Sequence, residues 1–437
     1  MKLVLIGGGS FVFAPTVLED AIVKHRLEGS LVLVDPNLEA AKALAAAGRR
    51  IASELNVPLR IEAASDRREA LSGADFVIVS ASPQGARRWR MDYDILSAAG
   101  MADQARECGG LGGLLNSLRS ISLVLDVCAD MEEICPLAML LDVTNPMPRV
   151  VTAIDRYTRI RSAGFCNIAY RGSKGYELLA KLLDRDRESL DIVTGGLNHF
   201  AWVMSIRDKS TGEDLMPELK RLIDSGDWGR FDEWLRRELA VIRRWLGEYG
   251  GIAAGAVDHH GEYLPKQEGI HYPETPPYHG TEAEREARLQ EIWEIAEGKR
   301  DWRELFDDPS WEHPVDLAVL LHGGNAARVD ILNVRNEGAI AQLPSDRIVE
   351  LPVALSDGKL QPVALSPFPD KLAELIRTVS DVHEWVAEAA ATGSRDAARR
   401  AVEIDPAIGA ADKDKALSAL DRMLEAHADL LPRFATR

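Results

Sequence analysis

A thiol and an imidazole stand where a divalent metal could be held. Cys166 closes the apolar stretch 160–166, and His199 follows Gly196, Leu197 and Asn198 at the end of a later one. A thiolate and an imidazole together suit a transition metal, and two protein ligands leave the other positions open to substrate oxygens. Such a site acts as a Lewis acid; a structural zinc would want four protein ligands, and the remaining cysteines and histidines lack the spacing. Taken singly, a cysteine at a strand end is more often a small buried hydrophobe, and a lone histidine a hydrogen-bonded structural residue. The metal reading rests on what else the chain delivers to the same edge.

Several polar groups are expected there. The strand 76–80 is followed by Ser82-Pro83-Gln84-Gly85 and then Arg87, Arg88 and Arg90. Gly109-Gly110-Leu111-Gly112-Gly113 precedes a helix carrying Arg119, and the strand 139–143 ends in Asn145-Pro146. The planar fork of arginine matches a phosphate, carboxylate or sulfonate, so these four arginines are expected to read an anionic substrate. Ion pairs with Glu107 or Asp92 are the alternative.

The elements that must position these groups begin at the amino terminus. Residues 3–6 form an unbroken apolar run, as in a parallel strand covered on both faces, and lead directly into Gly7-Gly8-Gly9-Ser10-Phe11. A helix over 14–25, with Pro15 in its first turn, offers free N–H groups and a positive dipole end to a pyrophosphate. The next strand, 30–34, ends in Asp35, whose carboxylate can accept the ribose hydroxyls of NAD and repel the 2′-phosphate of NADP. Val12 replaces the third glycine of the dinucleotide fingerprint. Further strands over 59–62, 76–80, 139–143 and 160–166 alternate with helices over 39–55, 114–131 and 149–157, which predicts a Rossmann-like doubly wound α/β sheet. Beyond it lie two strands within 191–206, separated by Gly195 and Gly196, and helices over 228–249 and 282–297. A strand-rich interval at 331–353 precedes closing helices over 370–392, 395–404 and 413–431. The expected domains are an NAD-binding unit, 1–190, and a mostly helical α+β unit, 191–437, carrying substrate, metal and oligomer contacts.

Composition removes other classes. With 437 residues and a net charge of -17, the chain is long enough for two cores and ill suited to nucleic acid or an anionic membrane. Four irregularly spaced cysteines do not make a disulfide framework. With no signal peptide ahead of the first strand, and no apolar run approaching the roughly 20 residues of a membrane span, the expected location is the cytoplasm.

Longer motifs carry a resemblance. Gly7-Gly8-Gly9-Ser10, the glycine run before Arg119, Thr144-Asn145-Pro146-Met147, Gly164-Phe165-Cys166-Asn167, Gly196-Leu197-Asn198-His199, Gly261-Glu262-Tyr263-Leu264-Pro265 and the stretch from Asn333 to Ile340 occur in an order and spacing similar to glycoside hydrolase family 4. The resemblance implies a fold related to lactate and malate dehydrogenases, with NAD and a divalent metal, typically manganese, as cofactors. It implies a glycosidase outside two-carboxylate chemistry: C3 of the sugar is oxidised by NAD, a base removes the C2 proton, the C1 substituent is eliminated, water adds and C3 is reduced again. By the same resemblance Cys166 and His199 are the metal ligands and Asn145 contacts substrate hydroxyls. The cofactor would lie along Gly7 to Phe11, Asp35, Ser82 and Asn145, in a homodimer or homotetramer.

The departures fall at the substrate. Asn167 matches the position that varies with substrate class, but Ile168-Ala169 follow it where 6-phospho-β-glucosidases usually have valine and proline. The segment 256–263 carries the candidates for proton transfer, Asp258, His259 and Tyr263, and also His260, expected at the substrate or in the metal shell. The predicted substrate is a glycoside of an anionic hexose bearing phosphate, carboxylate or sulfonate at C6, a sulfoquinovosidase among the alternatives. A 2-hydroxy-acid dehydrogenase and a silent NAD- and sugar-binding protein are the rivals of other classes.

Overall fold

The computed structural model describes residues 1–166, 169, 174–275, 281–308 and 310–435. Asn167, expected at the substrate, lies outside them. The strands are β1 (Lys2–Ile6), β2 (Gly29–Val34), β3 (Leu59–Ala64), β4 (Phe76–Val79), β5 (Met139–Asp142), β6 (Ser162–Gly164), β7 (Leu190–Leu197), β8 (Phe200–Asp208), β9 (Ala327–Arg335), β10 (Ile348–Ser356) and β11 (Lys359–Pro362). The α-helices are α1 (Phe13–Glu19), α2 (Leu38–Glu54), α3 (Arg67–Leu71), α4 (Gly85–Ala98), α5 (Gly110–Ile134), α6 (Met147–Tyr157), α7 (Tyr176–Leu183), α8 (Met216–Ser225), α9 (Glu233–Tyr249), α10 (Val257–Gly261), α11 (Glu282–Ala296), α12 (Pro314–Gly323), α13 (Asp370–Thr392), α14 (Arg395–Ile404) and α15 (Lys413–Ala426).

The strands join in one sheet of order β3-β2-β1-β4-β5-β6-β9-β10-β7-β8, with β11 on β10. The first six pair in parallel, in the doubly wound order 3-2-1-4-5-6. Alternate residues of β1 feed opposite cores, Leu3 and Leu5 on one face and Val4 and Ile6 on the other, as the two-residue period of a strand requires. An antiparallel extension continues the same sheet, through Gly164↔Asn333 from β6 to β9 and Glu350↔Gly196 from β10 to β7.

Three local features differ from expectation. Gly195 and Gly196 lie inside β7, and the turn to β8 is Asn198-His199, closed by the pair Leu197↔Phe200. The glycine run before Arg119 starts α5 instead of forming a loop, because it packs against neighbouring backbone: a Cβ on Gly109 would lie 2.0 Å from the Glu262 carbonyl oxygen. By length and apolarity α5 could cross a bilayer, yet 83% of its apolar window is buried inside the protein. It is a core helix, packed on α6 and α13.

Candidate active site

The carboxyl ends of the parallel strands form the floor of the site. At β1, Gly7 has φ of 90°, and a Cβ there would lie 1.9 Å from the Ser80 carbonyl oxygen. Only glycine fits so close a strand crossing. The Gly7 and Gly8 amides both donate to the Val34 carbonyl, at 2.9 and 3.0 Å. Ser10 Oγ accepts from the Phe13 amide at 3.2 Å, where α1 begins. Gly9 donates to Asp35 Oδ2 at 3.0 Å. Phe11 is half-buried and Ser82 exposed, so both border this turn without being part of the core.

The second part of the floor joins the metal candidates. Cys166 lies two residues past β6, and His199 is the second residue of the β7–β8 turn, with φ of 60°. Their Sγ and Nε2 atoms are 3.2 Å apart in the protein interior. A left-handed backbone on a residue other than glycine costs about 1–3 kcal/mol, so the turn is held by its surroundings. Among the described residues no group of three or more His, Cys, Asp and Glu side chains could hold a metal. A soft thiol and an imidazole side by side fit a divalent transition metal that keeps open positions.

Asn145 lies three residues past the end of β5, at the same carboxyl edge of the sheet. Its Nδ2 donates to Glu107 Oε1 at 3.2 Å, and its buried Oδ1 has no hydrogen-bond donor among the described residues. Glu107 precedes Cys108 and Gly109, whose amides both donate to Glu262 Oε2, at 2.7 and 3.1 Å. Burial, reinforced by the charge of Glu107, pushes the Glu262 carboxyl up to about 7. Arg106 Nη1 donates to the carbonyls of Gly261, Glu262 and Leu264, clasping this segment to the start of α5.

The candidates for proton transfer separate. His259 lies edge-on to His199, ring centroids 4.7 Å apart. Asp258 instead faces α9, with Oδ1 accepting from Arg237 Nη1 at 3.0 Å and from the His271 amide at 2.9 Å. Burial pushes that carboxyl up, but Arg237, the His271 amide and Lys174 outweigh it and hold Asp258 below the usual carboxylate range. Tyr263 is buried beside Phe200 and His383, its hydroxyl without a hydrogen-bond partner among the described residues, and burial pushes its phenol well up.

Three expectations are corrected. His260 is buried, not at the substrate; it packs on Trp202 and Trp245, its Nε2 is 2.7 Å from the Ala201 carbonyl oxygen, and burial lowers it to about 4. Arg119 is buried and binds Asp92 through both carboxylate oxygens, at 3.3 and 2.7 Å. Arg88 is buried too and donates to Gln84 and Asp429. The forks of Arg88 on α4 and Arg119 on α5 are thus taken up by ion pairs within the protein. Arg87 and Arg90, on the same helix, are exposed.

Sequence reading overlooked Glu262 and Glu350, the second a lone charged residue in the apolar strand β10. That isolation is the signal that could have found it: a buried strand carries a charge only where something binds it. Glu350 Oε2 accepts from Asn198 Nδ2 at 2.7 Å and Asn333 Nδ2 at 3.0 Å.

A Rossmann-type sheet with a glycine turn at one strand end and a thiol–imidazole pair at another defines a nucleotide-binding α/β protein with an added metal-type site. Residues 2–185 match the profile of the family 4 glycosyl hydrolases, and residues 194–408 that of the family 4 glycosyl hydrolase C-terminal domain. The chain therefore belongs to family 4 of the glycosyl hydrolases, and it is an enzyme of the glycosidase class. It is 28% identical over 449 residues to an alpha-galactosidase of Bacillus subtilis, covering 99% of each chain. An alpha-galacturonidase of Lachnoclostridium phytofermentans is 26% identical over 458 residues, with 99% of this chain and 97% of the relative covered. The fold superposes on a crystal structure of a 6-phospho-alpha-glucosidase from gut microorganisms, in complex with NAD and Mn2+, with a TM-score of 0.78, 24% identity and 99% of each chain covered.

Proposed function

We propose that this glycosidase binds NAD at the Gly7–Ser10 turn and a divalent metal, manganese foremost, between Cys166 and His199, and cleaves glycosides by oxidation and elimination. The observation that carries the reading is the 3.2 Å approach of Cys166 and His199 on the sheet whose first strand ends in the glycine turn. When bound, NAD supplies reversible oxidation at C3 of the sugar, and the metal supplies Lewis-acid stabilisation of the charge that develops there.

The chain's own groups do the rest. Asp35 stands where the two ribose hydroxyls would be accepted. Asn145 offers a sugar hydroxyl its Oδ1, which has no donor among the described residues, while Glu107 holds its amide nitrogen. Of the three candidates, His259 alone lies against the metal pair, and it is assigned removal of the C2 proton. Asp258 is committed to Arg237, and Tyr263 has its hydroxyl in the core.

The anionic character of the substrate has narrower support than four arginines would give. Arg87 and Arg90 remain exposed near the start of α4, beside the cofactor edge at Ser82. They are the arginines left to meet a C6 phosphate, carboxylate or sulfonate, and the relatives include enzymes of both neutral and acidic sugars by name. A panel of nitrophenyl glycosides, neutral, phosphorylated, uronic and sulfonated, in both anomers, tests the assignment. Cleavage should require both NAD and Mn2+, and product formed in heavy water should carry deuterium at C2. Full activity after chelation and dialysis, with neither cofactor added, would exclude the reading.

A further inference from the structure

Four strands meet in one transverse row behind the metal pair. Gly164 of β6 pairs with Asn333 of β9, Asn333 with Glu350 of β10, and Glu350 with Gly196 of β7. The outer members lead straight to the candidate ligands: Cys166 is two residues past Gly164, and His199 three past Gly196. Each outer joint is a single residue pair, whereas β9 and β10 share a long register. The backbone alone ties the two ligand-bearing strands weakly to the β9–β10 pair.

Side chains reinforce the weak joints. Glu350 and Asn333 are directly opposite, so their side chains leave the same face of the sheet. Glu350 Oε2 accepts from Asn333 on one side and from Asn198, the residue before His199, on the other. All three residues are buried, with Asn198 and Asn333 fully so. Among the described residues the Oδ1 atoms of both asparagines are buried without a donor, an arrangement that an ionised carboxylate, which only accepts, leaves unsatisfied. A carboxyl carrying a proton has a donor to offer one of them, and burial, working against the two amides, pushes Glu350 up to about 7.

We propose that Glu350 is a positioning residue: through Asn198 it holds the left-handed turn that presents His199 to Cys166, and it does so as a neutral hydrogen-bonding group, not as a charge. The inference rests on the assignment of Cys166 and His199 as metal ligands. A residue in this position governs metal affinity without touching the metal. Glutamine at 350 has the same shape, an acceptor for the two amides and a donor for an orphaned Oδ1, and no charge.

The test is Mn2+ binding by the full-length protein, read from the free Mn2+ signal in electron paramagnetic resonance titrations, with NAD binding by fluorescence as a control at the other end of the sheet. Glu350→Leu and Asn198→Ala are expected to weaken Mn2+ binding about tenfold or more, and Glu350→Gln to stay within about threefold of the native protein. NAD affinity should be unchanged in all three. Native Mn2+ affinity in Asn198→Ala would overturn the tie to His199, including where Glu350→Leu fails to fold. Loss in Glu350→Gln equal to that in Glu350→Leu would overturn the neutral role and point to a required charge. Failure of the underlying assignment looks different: Cys166→Ser would then bind Mn2+ as the native protein does.

Discussion

The Gly9 amide donates to Asp35 Oδ2 at 3.0 Å, and the Asn37 amide holds Oδ1 of the same carboxylate at 2.8 Å. The glycine turn and the acid at the end of β2 are thus one hydrogen-bonded unit, with the carboxylate fixed from both sides. Asp35→Ala should weaken NAD binding about tenfold to a hundredfold, the worth of hydrogen bonds to a charged group, and should narrow the preference for NAD over NADP. Fluorescence titration with both nucleotides measures this; an unchanged preference would remove Asp35 from the ribose.

Arg119 and Asp92 form an ion pair closed off from solvent, and His427 Nε2 adds a contact to Asp92 at 2.6 Å. Arg119→Ala leaves a buried carboxylate without its main partner, so it should cost about 3–5 kcal/mol in chemical denaturation. Arg87→Ala and Arg90→Ala, at exposed positions, should cost within about 0.5 kcal/mol. A rise in KM for an anionic glycoside, without one for its neutral counterpart, identifies which of these two arginines meets substrate.

His259, Asp258 and Tyr263 can be told apart by variants of matched shape. His259→Asn is expected to lower kcat by about 10²–10⁴, the range of a lost general base. Tyr263→Phe removes a buried hydroxyl that has no partner among the described residues, so stability should hold or rise and turnover should persist. Asp258→Asn should act mainly on stability, through Arg237. A folded Tyr263→Phe protein without turnover would move the proton transfer to that phenol.

Glu262 gives the protein a pH dependence with a definite sign. Its folded value of about 7 lies above the ordinary 4.5, so its contribution to stability is complete below about 4.5 and is lost as pH rises through about 7. Relative to Glu262→Gln, the native protein should lose about 3 kcal/mol of stability across that window. His260 has the opposite sign: buried neutral near 4 against an ordinary 6.5, it favours the fold above 6.5 and disfavours it as pH falls toward 4. It is common to both proteins and cancels in the comparison.

What the sequence made legible follows from periodicity and punctuation. The parallel strands and the helices Asp370–Thr392 and Arg395–Ile404 were predicted within a few residues or better, because apolar runs and a glycine after Thr392 mark them locally. The approach of Cys166 to His199 was anticipated by residue type. The ion pair of Arg119 with Asp92 was among the alternatives the sequence offered, but which arginines are engaged was not legible, because whether a charge on a helix faces solvent or a buried partner depends on another segment: Arg88 meets Asp429 from 341 residues away. The turn of the β7–β8 hairpin was misplaced for a similar reason. Gly195 and Gly196 look like the local break, but the tie from Asn198 to Glu350, 152 residues on, accompanies a turn on Asn198 and His199 instead.

The continuous sheet links the two ends of the site. The strand that ends in the glycine turn and the hairpin that carries His199 are rungs of a single hydrogen-bonded ladder, so a hinge between them would have to tear backbone pairs. On the proposed function the sheet thereby sets the span between the cofactor turn and the metal pair, with the Glu350 side-chain ties reinforcing its single-pair joints. In the proposed oxidation and return at C3, this continuity keeps the glycine turn and the Cys166–His199 pair in one register.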